Sequence, residues 1–200
     1  MDPNLVANRL LRLVRLDTTV FDEVRDDEKE LIPAVVVAIV ASFLAGLGAF
    51  LWVTVEVQGP SPDNAFLNTF ILGSIFLAVM YGIACVVTYV VLSSLYKVQV
   101  DLQALIRCLG YAAWPLALSV LMFPPVIYPI FAVVPIVLLF VTMIYAAQSA
   151  SGADSRQVVM ACLAGFTVMV FVLGLIAISS GANDAILGAG IFGTMLDLRY

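Results

Sequence analysis

Three thiols (Cys85, Cys108 and Cys162), a serine–aspartate stretch "ISSGAND" and an acidic run from Asp26 to Glu30 are the residues whose types could do chemistry in this chain. None assembles a reaction. The thiols are odd in number, dispersed and embedded in or beside apolar runs, so they read as small packing groups rather than a disulfide framework. The serine near Asp184 has no base to activate it, because the chain contains no histidine. That absence also removes the usual ligand of haem b and of most zinc sites, and the usual proton relay. No Gly-x-Ser-x-Gly elbow, Cys-x-x-Cys pair or intramembrane carboxylate pair occurs. Asp26, Asp27, Glu28 and Glu30 do not follow a calcium-loop spacing and read as a solvated charge run. The expectation is a non-enzyme with no catalytic residues, no metal site and no cofactor.

What remains is "CLGYAAWPLAL", where Gly110, Tyr111, Trp114 and Pro115 interrupt an apolar run. A proline there frees a carbonyl that lipid cannot satisfy, so the site must be buried among helices or near the water boundary. Pro115 bends the helix, Gly110 admits a close neighbour, and the polar tips of Tyr111 and Trp114 need an interface or an internal hydrogen bond.

The elements that position this stretch follow from composition. Of 200 residues, 63% are hydrophobic and 12% charged, with a net charge of −5 and a mean hydropathy of +1.10. Soluble domains carry roughly a quarter charged residues, so the chain is an integral membrane protein. A spanning helix needs about 20 apolar residues. Five runs qualify: Ile32–Val57, Phe66–Tyr96, Leu105–Phe123, Val126–Ala147 and Val158–Ser179. The predicted fold is all-α, a polytopic five-transmembrane-helix bundle with an N-terminal amphipathic helix. The predicted organisation is a cytoplasmic segment over 1–31, the bundle over 32–179 and an extracytoplasmic tail over 180–200. The tail's apolar core is too short to cross, and residues 182–196 read as an interfacial or protein-packed segment, with a sixth, re-entrant crossing as the alternative.

In "LVANRLLRLVRL", Arg9, Arg12 and Arg15 gather on one side at about 100° per residue, with Leu10, Leu11, Leu13 and Val14 opposite. Such a helix suits an anionic leaflet, and the three arginines are the expected membrane-surface residues. Asp17-Thr18-Thr19 caps a second short helix beginning near Val20. Five of the nine Lys/Arg precede Ile32, two more flank the loop between the second and third runs, and Arg156 lies in the next loop on that side. That bias places the N-terminus in the cytoplasm and the C-terminus outside. Small residues recur at spacing four as Ala38, Ser42 and Gly46, and again as Ser74, Ala78 and Gly82, rows that let helix backbones approach.

"VQVDLQALIRCLGYAAWPLALSVL" resembles the signature of the Yip domain family of Ypt/Rab-interacting membrane proteins. There a short polar loop leads into a Gly-Tyr…Pro motif on the third of five helices, which Gly110, Tyr111 and Pro115 match. "RLVRLDTTVFDEVRDD" and "IYAAQSASGADSRQVVMACLAGF" are also similar, so the resemblance covers most of residues 9–179. It implies five helices and a cytoplasmic N-terminus. Eukaryotic relatives bind prenylated Rab GTPases and shape vesicle traffic and curvature. This chain has "EKELIPAV" where they carry Asp-Leu-Tyr-Gly-Pro, which argues against a Rab-type GTPase and toward the prokaryotic type.

The expected function is a non-enzymatic scaffold or adaptor in the cell membrane, working through helix–helix and membrane-surface contacts. Its expected partners are membrane lipids and other membrane proteins or further copies of itself. No basic, aromatic-interleaved patch supports nucleic-acid binding. Alternatives are a transporter or pore for a neutral or lipid-like molecule, on the strength of Pro115, Pro124, Pro125, Pro129 and Pro135, and an accessory subunit of a larger membrane complex.

Overall fold

The computed structural model describes residues 3–56, 66–124 and 126–179. The predicted turn "QGPSPDN" and the tail, including residues 182–196, lie outside the described residues. Helices account for the architecture, and among the described residues there is no strand. Two short helices, α1 (Pro3–Val14) and α2 (Val20–Asp26), precede α3 (Leu31–Glu56). Then follow α4 (Gly73–Val90), α5 (Leu102–Ala112), α6 (Tyr128–Ser151) and α7 (Ser155–Ser179). Among the described residues, five segments are long and apolar enough to cross a membrane: Glu28–Val55, Thr69–Leu95, Leu102–Met122, Ile130–Ser151 and Ser155–Leu175.

Local chemistry explains the boundaries. Asp27 accepts from the Lys29 N–H to start a single 3₁₀ turn, Glu28–Glu30, that runs straight into α3. Pro33 falls in the first turn of α3, where a missing N–H costs nothing. Asp101 caps α5 by accepting from the N–H groups of Gln103 and Ala104. The second span is extended at both ends by π-helical turns, Phe66–Leu72 and Val91–Leu95. The fourth helix runs on past Ala147 to Ser151 and stops at Gly152, whose φ of 58° is the left-handed C-cap geometry. Gln148 then closes the connection by donating from Nε2 to the Ala153 carbonyl at 2.6 Å. "QSAS", beyond the end of the predicted fourth run at Ala147, is therefore helix, because a polar stretch reaching the helix end still completes its last turn.

Pro115 does more than bend the third span. Helix α5 ends at Ala112 and the chain continues as a 3₁₀ helix, Trp114–Met122. The tightened turn leaves carbonyls without their usual partners, and neighbouring hydroxyls supply them. Tyr81 of α4 donates to the Leu109 carbonyl at 2.5 Å, and Thr142 of α6 lies 2.8 Å from the Ala112 carbonyl.

Packing follows the small residues. Gly48 faces the Ser119 carbonyl and the Val120 backbone, so a side chain there would collide with the 3₁₀ segment. Gly165 of α7 sits against the Ala84 carbonyl and Thr88 of α4. Ala41, Ala45 and Ala49 are buried along α3, and Leu105, Leu109, Leu139 and Met143 fill the centre.

Candidate functional site

At the end of the bundle where α3 begins, α1 and α2 form a cap. Helix α2 inserts Val20, Phe21 and Val24, all buried, toward α5 and α6. Arg25 donates to the Ser149 carbonyl at 3.0 Å, Ser149 donates to Asp22 at 2.7 Å, and Arg107 donates to the Arg25 carbonyl at 2.6 Å. These bonds join α2 to α6 and α5. Helix α1 is held differently, by Val6 and Leu13 on the core and by a buried charge.

Arg9 is only 6% exposed and Glu30 only 5%. Arg9 Nη1 lies 2.6 Å from Glu30 Oε1, while the Tyr111 hydroxyl donates to Glu30 Oε2 at 2.6 Å. Glu23 and Asp27 approach Arg9 at 3.8 Å each. Burial pulls the Arg9 guanidinium down, but the Glu30 carboxylate outweighs it and holds Arg9 above its ordinary value. The three side chains come from α1, the 3₁₀ turn before α3, and α5, so one carboxylate joins the cap to two spans. Breaking a buried pair from one side costs about 3–5 kcal/mol, because it strands the surviving charge.

The sequence motif acquires its structural meaning here. A Cβ on Gly110 would lie 2.6 Å from the Ala34 carbonyl oxygen, so α5 touches the α3 backbone at that point. That closeness puts Tyr111, the next residue, within reach of Glu30 one turn before Ala34. Pro115 then converts the helix below. Trp114 is buried under the cap.

The acidic run is thus not uniformly solvated. Glu30 is its buried end, and the sequence reading missed it because three neighbouring acids are surface residues or partly so. The available signal was Tyr111, a phenol in an apolar run that needed an acceptor at matching depth.

The expected membrane-surface arginines separate. Arg9 turns inward; Arg12 pairs with Asp17 at 2.8 Å and Glu23 at 2.7 Å; Arg15 is exposed without an ion pair among the described residues. Leu11 and Val14 are 60% and 55% exposed. The bundle therefore seats α1 on its polar–apolar edge and leaves much of its apolar arc uncovered. Of the small-residue rows, Gly46 meets Ser74 and the Phe70 carbonyl, and Ser42 is buried. Ala38, Ala78 and Gly82 instead line an apolar groove of about 620 Å³ that reaches Gly110, and no described residue stands within 4 Å of a side chain added at Gly82.

The α1–α2 turn carries a pH dependence of its own. Asp17 is held below the usual carboxylate range, first by the Thr19 hydroxyl and then by Arg12. A depressed carboxylate contributes stability above its unfolded value of about 4 and loses it as pH falls through the lower folded value. Proteolysis within the turn is therefore expected to accelerate below about pH 4, and Asp17→Asn abolishes that acceleration. An acceleration unchanged in Asp17→Asn would refute the assignment.

The Yip1 domain family model matches residues 15–180. The chain belongs to the Yip1 domain family. No curated protein and no solved structure matches it at a significant level. Glu30, Gly110, Tyr111 and Pro115 fall inside the matched Yip1 region, whereas α1 precedes it. The charge partner that completes the clamp, Arg9, is thus contributed from outside the Yip1 match. With five membrane-length helices, the chain is a multi-pass membrane protein of the Yip type.

Proposed function

We propose that this Yip-type protein is a non-enzymatic scaffold of the cell membrane, with its cap and N-terminus in the cytoplasm. It acts by holding an amphipathic helix in the plane of the inner leaflet and by offering helix faces to other membrane proteins or to further copies of itself. The observation that carries this reading is the Arg9–Glu30–Tyr111 clamp, which fixes α1 to the spans while Leu11 and Val14 stay uncovered. A helix immobilised that way gains nothing from its exposed apolar side chains in water, but each sinks favourably into a headgroup–acyl boundary. The Lys/Arg bias supports that side. Lys97 and Arg156 are exposed, as surface cations near an anionic leaflet should be.

The helix-face half of the proposal is tested by gentle extraction. In mild detergent the chain is expected to leave the membrane as a defined oligomer or bound to another membrane protein, read by native mass measurement. A strictly monomeric, partner-free species at every detergent concentration above micelle formation would overturn it.

A further inference from the structure

Beneath α1 lies a groove of about 420 Å³, and we infer that it holds one acyl chain of an anionic phospholipid from the leaflet in which α1 lies. The inference rests on the reading of α1 as a leaflet-bound helix and names what that helix shelters. Leu10 and Val14 form one wall, Val37, Val40 and Leu44 of α3 a second, and Trp114 with Ala117 the third. The lining is aliphatic apart from that tryptophan, so water gains nothing there, and the volume lies within the range of about 300–1,000 Å³ typical of small-molecule sites.

Depth selects the occupant. The α3 wall runs from Val36 to Leu44, about 12 Å at 1.5 Å per residue. That is close to the roughly 15 Å of a single leaflet's hydrocarbon, half the core thickness. A partner helix crossing the bilayer would need a seam about twice as long. A lipid chain enters from its own leaflet and needs no more than this.

Two polar features favour a phospholipid over hydrocarbon alone. Trp114 Nε1 is buried and has no hydrogen-bond partner among the described residues, although indole N–H groups normally find one. Its ring lines the groove shortly before Ala117 and Leu118, and an ester carbonyl is the acceptor it would gain once the ring turns toward a bound chain. Among the described residues, Arg15, beside Val14, is the arginine of the α1 segment left without a carboxylate, since Arg9 and Arg12 are both paired. An anionic headgroup supplies the charge it lacks.

The test uses the full chain carrying Trp52→Phe, which leaves Trp114 as the sole tryptophan, in nanodiscs of phosphatidylcholine. One-tenth of the lipid is replaced by acyl-brominated phosphatidylglycerol or acyl-brominated phosphatidylcholine. Quenching of Trp114 by the brominated phosphatidylglycerol is expected to exceed that by the choline lipid about fivefold, the preference one surface cation confers. Ala117→Phe fills the groove and removes the excess. Val40→Phe, at a half-exposed wall position, does the same should Ala117→Phe fail to fold. Equal quenching by the two lipids, or an excess that survives both fillings, overturns the inference. In the same nanodiscs a charged maleimide is expected to label Asn8→Cys about tenfold faster than Leu11→Cys. Equal labelling overturns the leaflet reading itself. Unequal labelling with equal quenching overturns the acyl site alone.

Discussion

Replacing Glu30 by alanine is expected to free α1 from the bundle while leaving the five spans folded. Glu30 accepts from Tyr111 and pairs with Arg9, and all three side chains are buried. Removing the carboxylate strands a guanidinium and a phenol at once. Stranding a buried charge costs about 3–5 kcal/mol, and the molecule avoids that cost by letting α1 swing out so that Arg9 reaches water. The opening is local, since α2 keeps its own bonds to Ser149 and Arg107. When cleavage is slow relative to reclosing, protease sensitivity follows the open population. Trypsin cleavage at Arg12 and Arg15 should therefore rise about a hundredfold or more, until the helix is fully undocked.

Two companion variants separate the clamp from mere packing. Tyr111→Phe keeps the ion pair and removes one hydrogen bond to a charged group, worth about 1.5–3 kcal/mol, so its effect should be intermediate. Arg9→Met with Glu30→Met and Tyr111→Phe replaces the whole clamp by apolar side chains, an exchange that is often neutral, and should recover most of the protection. Unchanged cleavage in Glu30→Ala would mean that Val6 and Leu13 alone hold α1.

The spans were legible because run length and composition are local properties, and a stretch such as Leu31–Glu56 admits no other fate than burial in protein or lipid. The bend at Pro115 was legible for the same reason, whereas its continuation as nine residues of 3₁₀ helix was not. That outcome depends on Tyr81 and Thr142 arriving from other helices to cover the loosened carbonyls. Glu30 was hidden because its burial is decided by Gly110, eighty residues away, drawing α5 onto α3. Arg9, Arg12 and Arg15 looked equivalent on a helical wheel, and only the positions of Glu30 and Asp17 tell them apart. The row Ser74, Ala78 and Gly82 shows the same limit. Spacing puts the three on one face, but Ser74 meets Gly46 while Gly82 meets no described residue, because an apolar groove lies between α3 and α4 at that level and the two helices diverge there.

That divergence gives a second large and opposite pair of outcomes, Gly110→Ala and Gly82→Ala. At Gly110 the added methyl would stand 2.6 Å from the Ala34 carbonyl oxygen and 2.7 Å from its carbon. A backbone carbonyl cannot rotate aside as a flexible side chain can, so α3 and α5 must part. Overpacking of this kind costs typically about 1–3 kcal/mol, which at this chain length lowers the melting temperature by about 2–4 °C for each kcal/mol. The separation also draws Tyr111 away from Glu30, so the cap should lose trypsin protection along with thermal stability. At Gly82 no atom of the described residues stands within 4 Å of the new methyl, and the residue lies inside α4, where alanine is favoured over glycine by about 1 kcal/mol. Gly82→Ala should therefore melt at or slightly above the parent temperature with its cap intact. Should the two substitutions instead behave alike, the tight contact at Ala34 would not be what aligns Tyr111 with Glu30, and the role assigned to the glycine of the motif would fall.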